Sequence, residues 1–258
     1  MTLISDFHGH VSRSSAEQMA LAAREKGLHI LGLSEHDFQM KEARTLLEHM
    51  PIEGPMLTFA DYIEAVQVAG RTATIDIRLG LEVDFIPGKN DLLQASLEGY
   101  PWDFLIGSVH EIDGRLFERE TRQVREQGEQ LWLRYYQLLR EAVQSSYFSL
   151  ISHPVRMRAK NPYVPSTLDD ELEQLAVEAA RQDIALEING FDMLTYPDLV
   201  RRLARACALH HTPISVGSDA HRPPQVAQAH MQSEMLLREV GIKTVRIWKQ
   251  RVPEEYQL

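Results

Sequence analysis

The sequence predicts a single α/β domain over residues 1–258, built as a closed or nearly closed β/α barrel. Short continuous apolar runs alternate along the chain with amphipathic helical segments, an order that is typical of a parallel sheet covered by helices. Seven such runs occur, and no Pro- or Gly-rich linker divides them. A barrel suits this count best, and an open doubly wound sheet is the alternative.

Each predicted strand is a short run rich in β-branched and aliphatic residues. The runs cover residues 2–7, 29–36, 75–85, 102–111, 147–154, 183–190 and 212–221. Because they are continuously apolar, both faces of these strands are expected to be buried.

Helices are predicted between the strands from apolar residues at helical spacing. In the first helix these are Ala16, Met19, Ala20 and Ala23. Ser14 or Ser15 can cap its start, and Gly27 can end it. Residues 41–70 are predicted to be mainly helical. A longer helix has one apolar stripe, made of Trp132, Tyr135, Tyr136, Leu139 and Val143. Two further helices carry Leu168, Leu172, Leu175, Ala176 and Ala179, and Leu199, Leu203 and Ala206.

Composition narrows the class of protein. The formal net charge of −10 argues against binding to a phosphate backbone, so no nucleic-acid partner is expected. No apolar stretch approaches the ~20 residues that cross a bilayer, and no signal-peptide pattern is visible at the amino terminus. The single cysteine, Cys207, excludes an internal disulfide and fits a reducing compartment. We therefore expect a soluble, cytoplasmic protein without a membrane partner.

The residues that close the predicted strands can bind a metal ion or move a proton. They are His8 and His10, Glu35 and His36, Glu82 and Asp84, His110 and Glu111, His153, Glu187 and Asn189, and Asp219 and His221. The carboxyl ends of barrel strands lie around one rim, where active sites are built. Any single one of these residues could be a satisfied buried polar group or a helix cap. Their recurrence at all seven strand ends favours a shared site.

The first of these pairs follows from the geometry of a strand. Alternate residues point to the same side, so His8 and His10 can both reach the rim, and Gly9 leaves room on the opposite side. The remaining histidines fall in helices, loops or strand starts and are interpreted as surface or packing residues: His29, His49, His210, His211 and His230.

The order of the motifs resembles a known family. D-F-H-G-H, S-E-H-D, G-L-E-V-D-F, G-S-V-H, S-H-P and G-S-D-A-H occur in an order similar to that of the PHP (polymerase and histidinol phosphatase) superfamily. G-L-E-V-D-F-I-P-G-K, Y-P-W-D-F-L-I-G-S-V-H-E-I-D-G and G-I-K-T-V-R-I-W resemble its histidinol-phosphate phosphatases rather than its polymerase domains. The resemblance runs nearly end to end. It implies a distorted (β/α)7 barrel with two or three divalent metal ions.

The resemblance also implies which side chains hold these ions. A first ion would take His8, His10, Glu82 and Asp219; Glu82 would bridge to a second, held also by His110 and His153; a third would take His36 and His221. Of these, the resemblance assigns catalytic roles to Glu82, Asp219, His36 and His221. Mixed imidazole and carboxylate ligands suit Zn, Mn or Fe. The family usually places a further His or Asp where this chain has Ser15 and Ala16. The third ion is therefore expected to bind weakly, to have its coordination shell completed by water, or to be absent.

Phosphate-ester hydrolysis fits this chemistry. Phosphate monoesters hydrolyse very slowly in water, so a catalyst must supply a strong nucleophile and neutralise charge on the phosphoryl oxygens. Water bound to metal can ionise near pH ~7, so no Ser, Cys or Asp nucleophile is required. Phosphate oxygens away from metal need cationic partners, for which the candidates are Arg156, Arg158, Lys160 and Arg222. Asp84 or Glu111 could face the amine of a cationic substrate.

Three functions remain open. The favoured one is a metal-dependent phosphomonoesterase that acts on a small phosphorylated substrate, L-histidinol phosphate in histidine biosynthesis. The alternative is a phosphoesterase that acts on another small ester or on nucleic acid ends; the latter would need a basic groove and stacking aromatics, and this chain is acidic. The third is a non-enzymatic, metal-stabilised domain that serves a partner. Missing ligands would favour it, yet only the position of Ser15 and Ala16 departs from the pattern.

Overall fold

A sheet of parallel strands forms the centre of this computed structural model, which describes residues 3–52, 54–119 and 121–258. Within these residues the strands are β1 (Ser5–Asp6), β2 (Ile30–His36), β3 (Asp76–Asp84), β4 (Phe104–Ser108), β5 (Glu111–Ile112), β6 (Arg115–Leu116), β7 (Leu150–Ile151), β8 (Ala185–Asn189), β9 (Ile214–Gly217), β10 (Thr244–Lys249) and β11 (Val252–Gln257). The central sheet has the order β1-β2-β3-β4-β7-β8-β9, and all its pairs are parallel. All seven predicted strand runs contain one of these strands.

The first and last strands of this sheet lie side by side, so the sheet is a nearly closed barrel. The amide of Phe7 donates to the carbonyl of Val216 over 3.0 Å. Beyond the strands, Gly9 pairs with Ala220 in an isolated bridge. The prediction of a seven-stranded β/α barrel is confirmed, and the open doubly wound sheet is excluded.

Strand register brings the polar strand ends to one level. In the pairing of β2 with β3, His36 is the partner of Glu82. In the pairing of β3 with β4, Asp84 is the partner of Ser108. The carboxyl ends of these neighbouring strands therefore present imidazole, carboxylate and hydroxyl groups together.

Helices cover the outer face of the barrel. In the described residues they are α1 (Ala16–Glu25), α2 (Phe59–Ala73), α3 (Asn90–Leu97), α4 (Arg125–Gln144), α5 (Leu168–Arg181), α6 (Gly190–Thr195), α7 (Pro197–His210) and α8 (His230–Glu239). The predicted stripe of α4 is buried along its whole length. Among these helices, none combines the length and the apolar character that crossing a membrane requires.

Ser15, rather than Ser14, caps α1. Its backbone is extended, and its hydroxyl oxygen accepts a hydrogen bond from the amide of Gln18. Gly27, just past the helix, has a φ of 79°, which a residue without a Cβ adopts at little cost. Both predicted ends of this helix are thus present.

The predicted helix over residues 41–70 is wrong in its first half. Residues 41–52 and 54–58 form a loop with one short 3-10 turn, Arg44–Leu46, and α2 begins only after a capping box at Thr58. Pro51 and Pro55 interrupt helical hydrogen bonding in this segment. The loop instead buries its own small apolar cluster, made of Phe38, Ala43, Leu47 and Met50.

The β10–β11 hairpin closes the end of the barrel opposite to these polar strand ends. Ile247 and Trp248 pack against the first residues of β2 and β4, Ile30 and Phe104. The buried Arg78 donates to the carbonyl of Trp248 over 2.7 Å. The hairpin leaves the carboxyl-terminal rim, with its polar strand ends, uncovered.

Candidate metal centre

The eight predicted ligands converge on the carboxyl-terminal rim of the barrel. They come from the segments that follow β1 (His8 and His10), β4 (His110), β7 (His153) and β9 (Asp219 and His221), and from β2 (His36) and β3 (Glu82) themselves. All are buried except His110 and His221, which are half-buried. Six sequence-distant segments thus supply one cluster of side chains.

Glu82 lies at the centre of this cluster, and its two carboxylate oxygens face different histidines. Oε2 lies 3.3 Å from Nε2 of His8 and 2.7 Å from Nδ1 of His36. Oε1 lies 3.2 Å from Nε2 of His153 and 3.6 Å from Nε2 of His110. A carboxylate in this position can offer one oxygen to each of two cations.

Asp219 completes the group on the Oε2 side of Glu82. Its Oδ1 lies 3.3 Å from Nε2 of His10 and 3.8 Å from Nε2 of His8. Donor atoms of His8, His10 and Glu82 all lie within 4.8 Å of one another. A single ion could therefore contact all of these side chains.

Two of the candidate ligands have a left-handed backbone. The φ angles of His153 and Asp219 are 32° and 56°, a region that residues with a Cβ rarely adopt. Such conformations cluster at functional sites, where the surrounding structure holds them. His153 is held on both sides, because its amide donates to Glu187 and its carbonyl accepts from the hydroxyl of Tyr135.

Carboxylates lie behind the candidate ligand histidines and orient their rings. Oε1 of Glu187 lies 2.7 Å from Nδ1 of His8, and Oδ1 of Asp84 lies 3.0 Å from Nδ1 of His110. A partner of this kind fixes the tautomer and leaves the other ring nitrogen for a metal. Glu187 and Asp84 were predicted to lie at strand ends, but their role in orienting histidine rings was not predicted.

Glu35 plays a similar part without reaching the cluster centre. Its Oε2 accepts hydrogen bonds from the amides of Val11 and Ser12 over 2.7 and 2.6 Å, which fixes the turn after His10. Its Oε1 lies 3.4 Å from Nδ1 of His10. Burial alone would raise the pKa of the Glu35 carboxyl, but the hydrogen bond from His10 and the charge on that ring outweigh burial and lower that pKa to about 2.

The carboxylates also set the protonation of the cluster. Burial disfavours the charged form of each histidine, yet the neighbouring carboxylates outweigh it. They raise the pKa of His8 well above its usual value, that of His10 to about 9 and that of His110 to about 10. For His10 these carboxylates are Asp219 and Glu35. The carboxylates therefore favour positive charge in the cluster. Protons on the histidines supply this charge when no metal ion is bound.

His221 differs from the other histidines. Burial and the nearby charge on His10 lower the pKa of His221 to about 3. Its imidazole is thus neutral across the physiological range, which is the form that binds a metal ion.

The donor set fits divalent ions. Nε2 of His8, Nε2 of His10 and Oε2 of Glu82 are buried and take part in no hydrogen bond within the described residues. Buried polar atoms in native proteins rarely lack a partner, so this cluster is incomplete as protein alone. Imidazole nitrogen with carboxylate oxygen suits Zn, Mn or Fe.

The third predicted ion has a less complete set of donors. His10, His36 and His221 have donor atoms within 4.8 Å of one another, and the His10 ring stacks on each of the other two at 4.2 Å. Ser15 is not part of this group, because its hydroxyl is exposed and caps α1. His10 would have to be shared with the first ion.

A cavity of about 610 Å³ opens over the cluster. His36, Glu82, His110, His153, Asp219 and His221 form part of its lining. One wall is apolar and comes from the loop after β2 and from β6, with Phe38, Met50, Ile52 and Leu116. The described cations that line it are Arg13, Arg119, Arg156 and Lys160. Arg13 and Arg119 were not among the predicted cations, although Arg13 lies three residues after His10.

The four predicted phosphate-binding cations are placed differently from one another. Arg156 and Lys160 line the cavity, whereas Arg158 and Arg222 are not among its described lining residues. Arg158 lies over the ring of Tyr196, and Arg222 is exposed. Proximity to a ligand motif in sequence was therefore a poor guide to which cations face the cavity.

The two carboxylates suggested for a substrate amine face elsewhere. Asp84 is buried behind His110. Glu111 forms an ion pair with His49. Neither is among the described residues that line the cavity.

The other predicted non-ligand histidines lie away from the cluster. His230 is buried and bonds to the carbonyl of Ser5 over 2.9 Å, which is a packing role. His29, His49 and His211 are exposed. The space predicted beside Gly9 is present, and it is wide enough for a side-chain Cβ, because no atom would lie nearer to that Cβ than 3.7 Å.

Comparison with known proteins agrees with this geometry. Residues 3–190 match the PHP domain family. A probable histidinol-phosphatase from Deinococcus radiodurans is 32% identical over 95% of this chain and 96% of its own length. A probable phosphatase from Syntrophotalea carbinolica is 34% identical over 85% of this chain and 78% of its own length. In fold, the chain is similar to a histidinol phosphate phosphatase from Lactococcus lactis, solved with zinc, L-histidinol and phosphate. The TM-score is 0.77 and the identity 19%, over 98% of this chain and 99% of the other.

Proposed function

Because this chain belongs to the PHP domain family, we propose that it is a metal-dependent phosphomonoesterase whose substrate is L-histidinol phosphate. The observation that carries the proposal is the position of Glu82, whose two oxygens face two separate groups of histidines beneath one cavity. A relative that covers nearly the whole chain supports the choice of substrate.

We propose that two or three divalent ions, of Zn, Mn or Fe, are the cofactors. His8, His10 and Asp219 would hold the first on one side of Glu82, and His110 and His153 the second on the other. Bound ions supply water that ionises near pH ~7 and positive charge for the phosphoryl oxygens. The roles of His36 and His221 in a third site, and in catalysis, stay predictions.

The chain's own cations complete the recognition of phosphate. Lys160 and Arg119 both line the cavity, and neither forms a side-chain ion pair with the described residues around it. The guanidinium of Arg156 is instead engaged by Asp192 at 2.8 Å and by Asp219 at 2.6 Å. We therefore propose Lys160 and Arg119 as the side chains that contact phosphate oxygens, with Arg156 as a brace for Asp219.

Residues inside the family match and residues beyond its end both contribute to the site. Asp219 and His221 lie beyond residue 190, yet they contact His10. We propose that residues 1–258 act as one domain. A cytoplasmic location is part of the same proposal, because the single thiol, Cys207, is buried and needs no oxidising compartment.

The test is steady-state hydrolysis by protein of known metal content. Chelator-treated protein is reloaded with Zn, Mn or Fe and is assayed with L-histidinol phosphate, several other phosphomonoesters and bis-p-nitrophenyl phosphate. We expect the highest kcat/KM for L-histidinol phosphate and little turnover of the diester. Preference for the diester, or equal activity of metal-free protein, would contradict the proposal.

A further inference from the structure

One carboxylate faces the cavity and is not accounted for by metal binding. The described carboxylates that line the cavity are Glu82, Glu118 and Asp219. Glu82 and Asp219 are turned towards the histidine cluster. Among the described contacts, Glu118 lies within ion-pair distance of none of these histidines. Its charge is therefore available to a group that enters the cavity.

The backbone at Glu118 is held in place by the residue before it. It lies in the short 3-10 turn Phe117–Arg119 that follows β6. Phe117 is buried, with its ring 5.2 Å from that of Tyr135, and its amide donates to the carbonyl of His110 over 3.2 Å. The turn is therefore anchored both to α4 and to the segment that carries a proposed metal ligand.

The charge on Glu118 is only partly balanced by the protein. Its Oε1 is buried and accepts no hydrogen bond within the described residues, although the side chain as a whole is 40% exposed towards the cavity. The nearest cation is Nη1 of Arg156, at 3.6 Å. Arg156 makes shorter contacts elsewhere, to Asp192 at 2.8 Å and to Asp219 at 2.6 Å. A buried carboxylate oxygen without a hydrogen-bond donor is costly, and a ligand that brings a donor removes that cost.

Glu118 lies close to the candidate metal centre, because it and Asp219 contact the same guanidinium, through Nη1 at 3.6 Å and Nη2 at 2.6 Å. One guanidinium, that of Arg156, separates Glu118 from Asp219. In L-histidinol phosphate the amine is on the carbon next to the one that carries the phosphate ester. With phosphate at the metal centre, the ammonium group would lie a few ångströms further along the cavity wall.

We infer that Glu118 is a specificity-determining residue that binds the ammonium group of an amino-alkyl phosphate substrate. This inference rests on the proposed function, because it names what distinguishes the substrate at that same site. The ammonium supplies donors to Oε1 of Glu118. The apolar wall, which includes Phe38 and Leu116, is left for the rest of the substrate.

The test compares two substrates that differ only in the amine: L-histidinol phosphate and 3-(imidazol-4-yl)propyl phosphate. Glu118→Gln keeps the shape of the side chain and removes its charge. We expect kcat/KM for L-histidinol phosphate to fall by about 10- to 100-fold, mainly through KM, because a hydrogen bond between charged groups is lost. For the ester without the amine, kcat/KM should stay unchanged. Asp113→Asn is the matched control, since Asp113 lies in the exposed turn of the same hairpin.

Two results would overturn the inference. An equal loss of kcat/KM with both esters would mean that Glu118 only positions Arg156. An unchanged kcat/KM with both would mean that another residue binds the amine. Calorimetric binding of 2-aminoethyl phosphate and ethyl phosphate to metal-loaded protein tests the same point without turnover. If L-histidinol phosphate is not hydrolysed, the proposed function fails. The inference still stands or falls by whether Glu118→Gln weakens binding of the amino ester alone.

Discussion

At the scale of single residues, Glu82 has the most contacts in the metal centre. Its pKa is held well below its usual value, because the charges on His36 and His8 outweigh the effect of burial. We expect Glu82→Gln to reduce turnover by more than about 100-fold, since changes behind the ligands alone cost about 10- to 100-fold. The metal-to-protein ratio, measured by elemental analysis, should fall too. Glu17→Gln, on the exposed face of α1, is the control. Near-normal activity with full metal content would show that Glu82 is not the bridging ligand.

Gly217 is a second residue on which the centre depends. A Cβ at this position would lie 2.4 Å from Oε1 of Glu187 and 2.4 Å from Cβ of His8. We expect Gly217→Ala to displace the His8–Glu187 pair and to weaken metal binding by about 10- to 100-fold, measured by competition with a chromophoric chelator. Gly107→Ala is the matched control: its Cβ would meet Phe148 at 2.5 Å, away from the ligands. It should lower stability and leave metal affinity intact. Equal affinity loss in both variants would indicate general misfolding.

We predict that a third ion binds more weakly than the other two, because Ser15 stands where the family usually has a further ligand. His36 and His221 provide only half of a four-coordinate shell, and the His10 ring between them also faces Asp219. Water or substrate phosphate would have to complete the shell. After limited dialysis against a mild chelator, we expect the third ion to be lost first, and to be retained better when phosphate is present. Three ions that survive equally in both conditions would mean that a ligand has been misplaced.

At the scale of elements, the sequence was a good guide to strands and a weaker one to loops. Short, mainly apolar runs such as 29–36 and 75–85 are stable when they are buried in a parallel sheet. Their assignment as strands and their order were therefore predicted correctly. Residues 41–58 also contain apolar residues at helical spacing, but these bury against one another over the barrel mouth. The periodicity of apolar residues does not distinguish these two kinds of burial.

The loop after β2 contacts the β5–β6 hairpin through an ion pair between His49 and Glu111, in addition to the packing of Leu116 on its apolar cluster. Both segments line the cavity, through Met50 and Leu116 among others. An exposed pair contributes only about 0–1 kcal/mol, so we expect little change in Tm for Glu111→Ala. Its KM should rise several-fold, because the two segments that form the apolar wall lose one of the contacts between them, while kcat stays similar.

A double-mutant cycle tests whether this effect comes from the pair. His49→Ala together with Glu111→Ala should raise KM no further than either change alone. Arg125→Ala is the control, because it breaks an exposed pair with Glu129 on α4. Additive effects of the two changes would show that His49 and Glu111 act separately.

At the scale of the whole molecule, most of the candidate site was visible as a pattern of strand ends. Each barrel strand delivers its last residues to one rim, so His8 and Asp219 could be placed together although they are 211 positions apart. Arg119 and Glu118 could not be placed in this way. Their position depends on how the β5–β6 hairpin folds over the rim, and no local pattern in the sequence encodes that contact.

Because the site joins strands from β1 to β9, its charge balance affects the stability of the whole barrel. In the metal-free protein, carboxylates raise the pKa of His10 to about 9 and that of His110 to about 10, whereas an unfolded histidine titrates near about 6.5. The stability that these protons supply is fully present below about pH 6.5 and is lost as the pH rises through the folded-state pKa values. His221, with its pKa lowered to about 3, has the opposite dependence, but only below about pH 6.5.

We therefore expect the Tm of metal-free protein to fall between about pH 7 and pH 10, while metal-loaded protein keeps its Tm over the same range, because bound ions keep their charge as protons leave. Circular dichroism melts of both forms, at matched ionic strength, measure the difference. His110→Asn should flatten the decline in the metal-free form. His29→Asn, an exposed control, should leave it unchanged. A parallel decline in the metal-free and metal-loaded forms would mean that the loss of stability arises outside the cluster, and that protons and metal ions do not substitute for one another there.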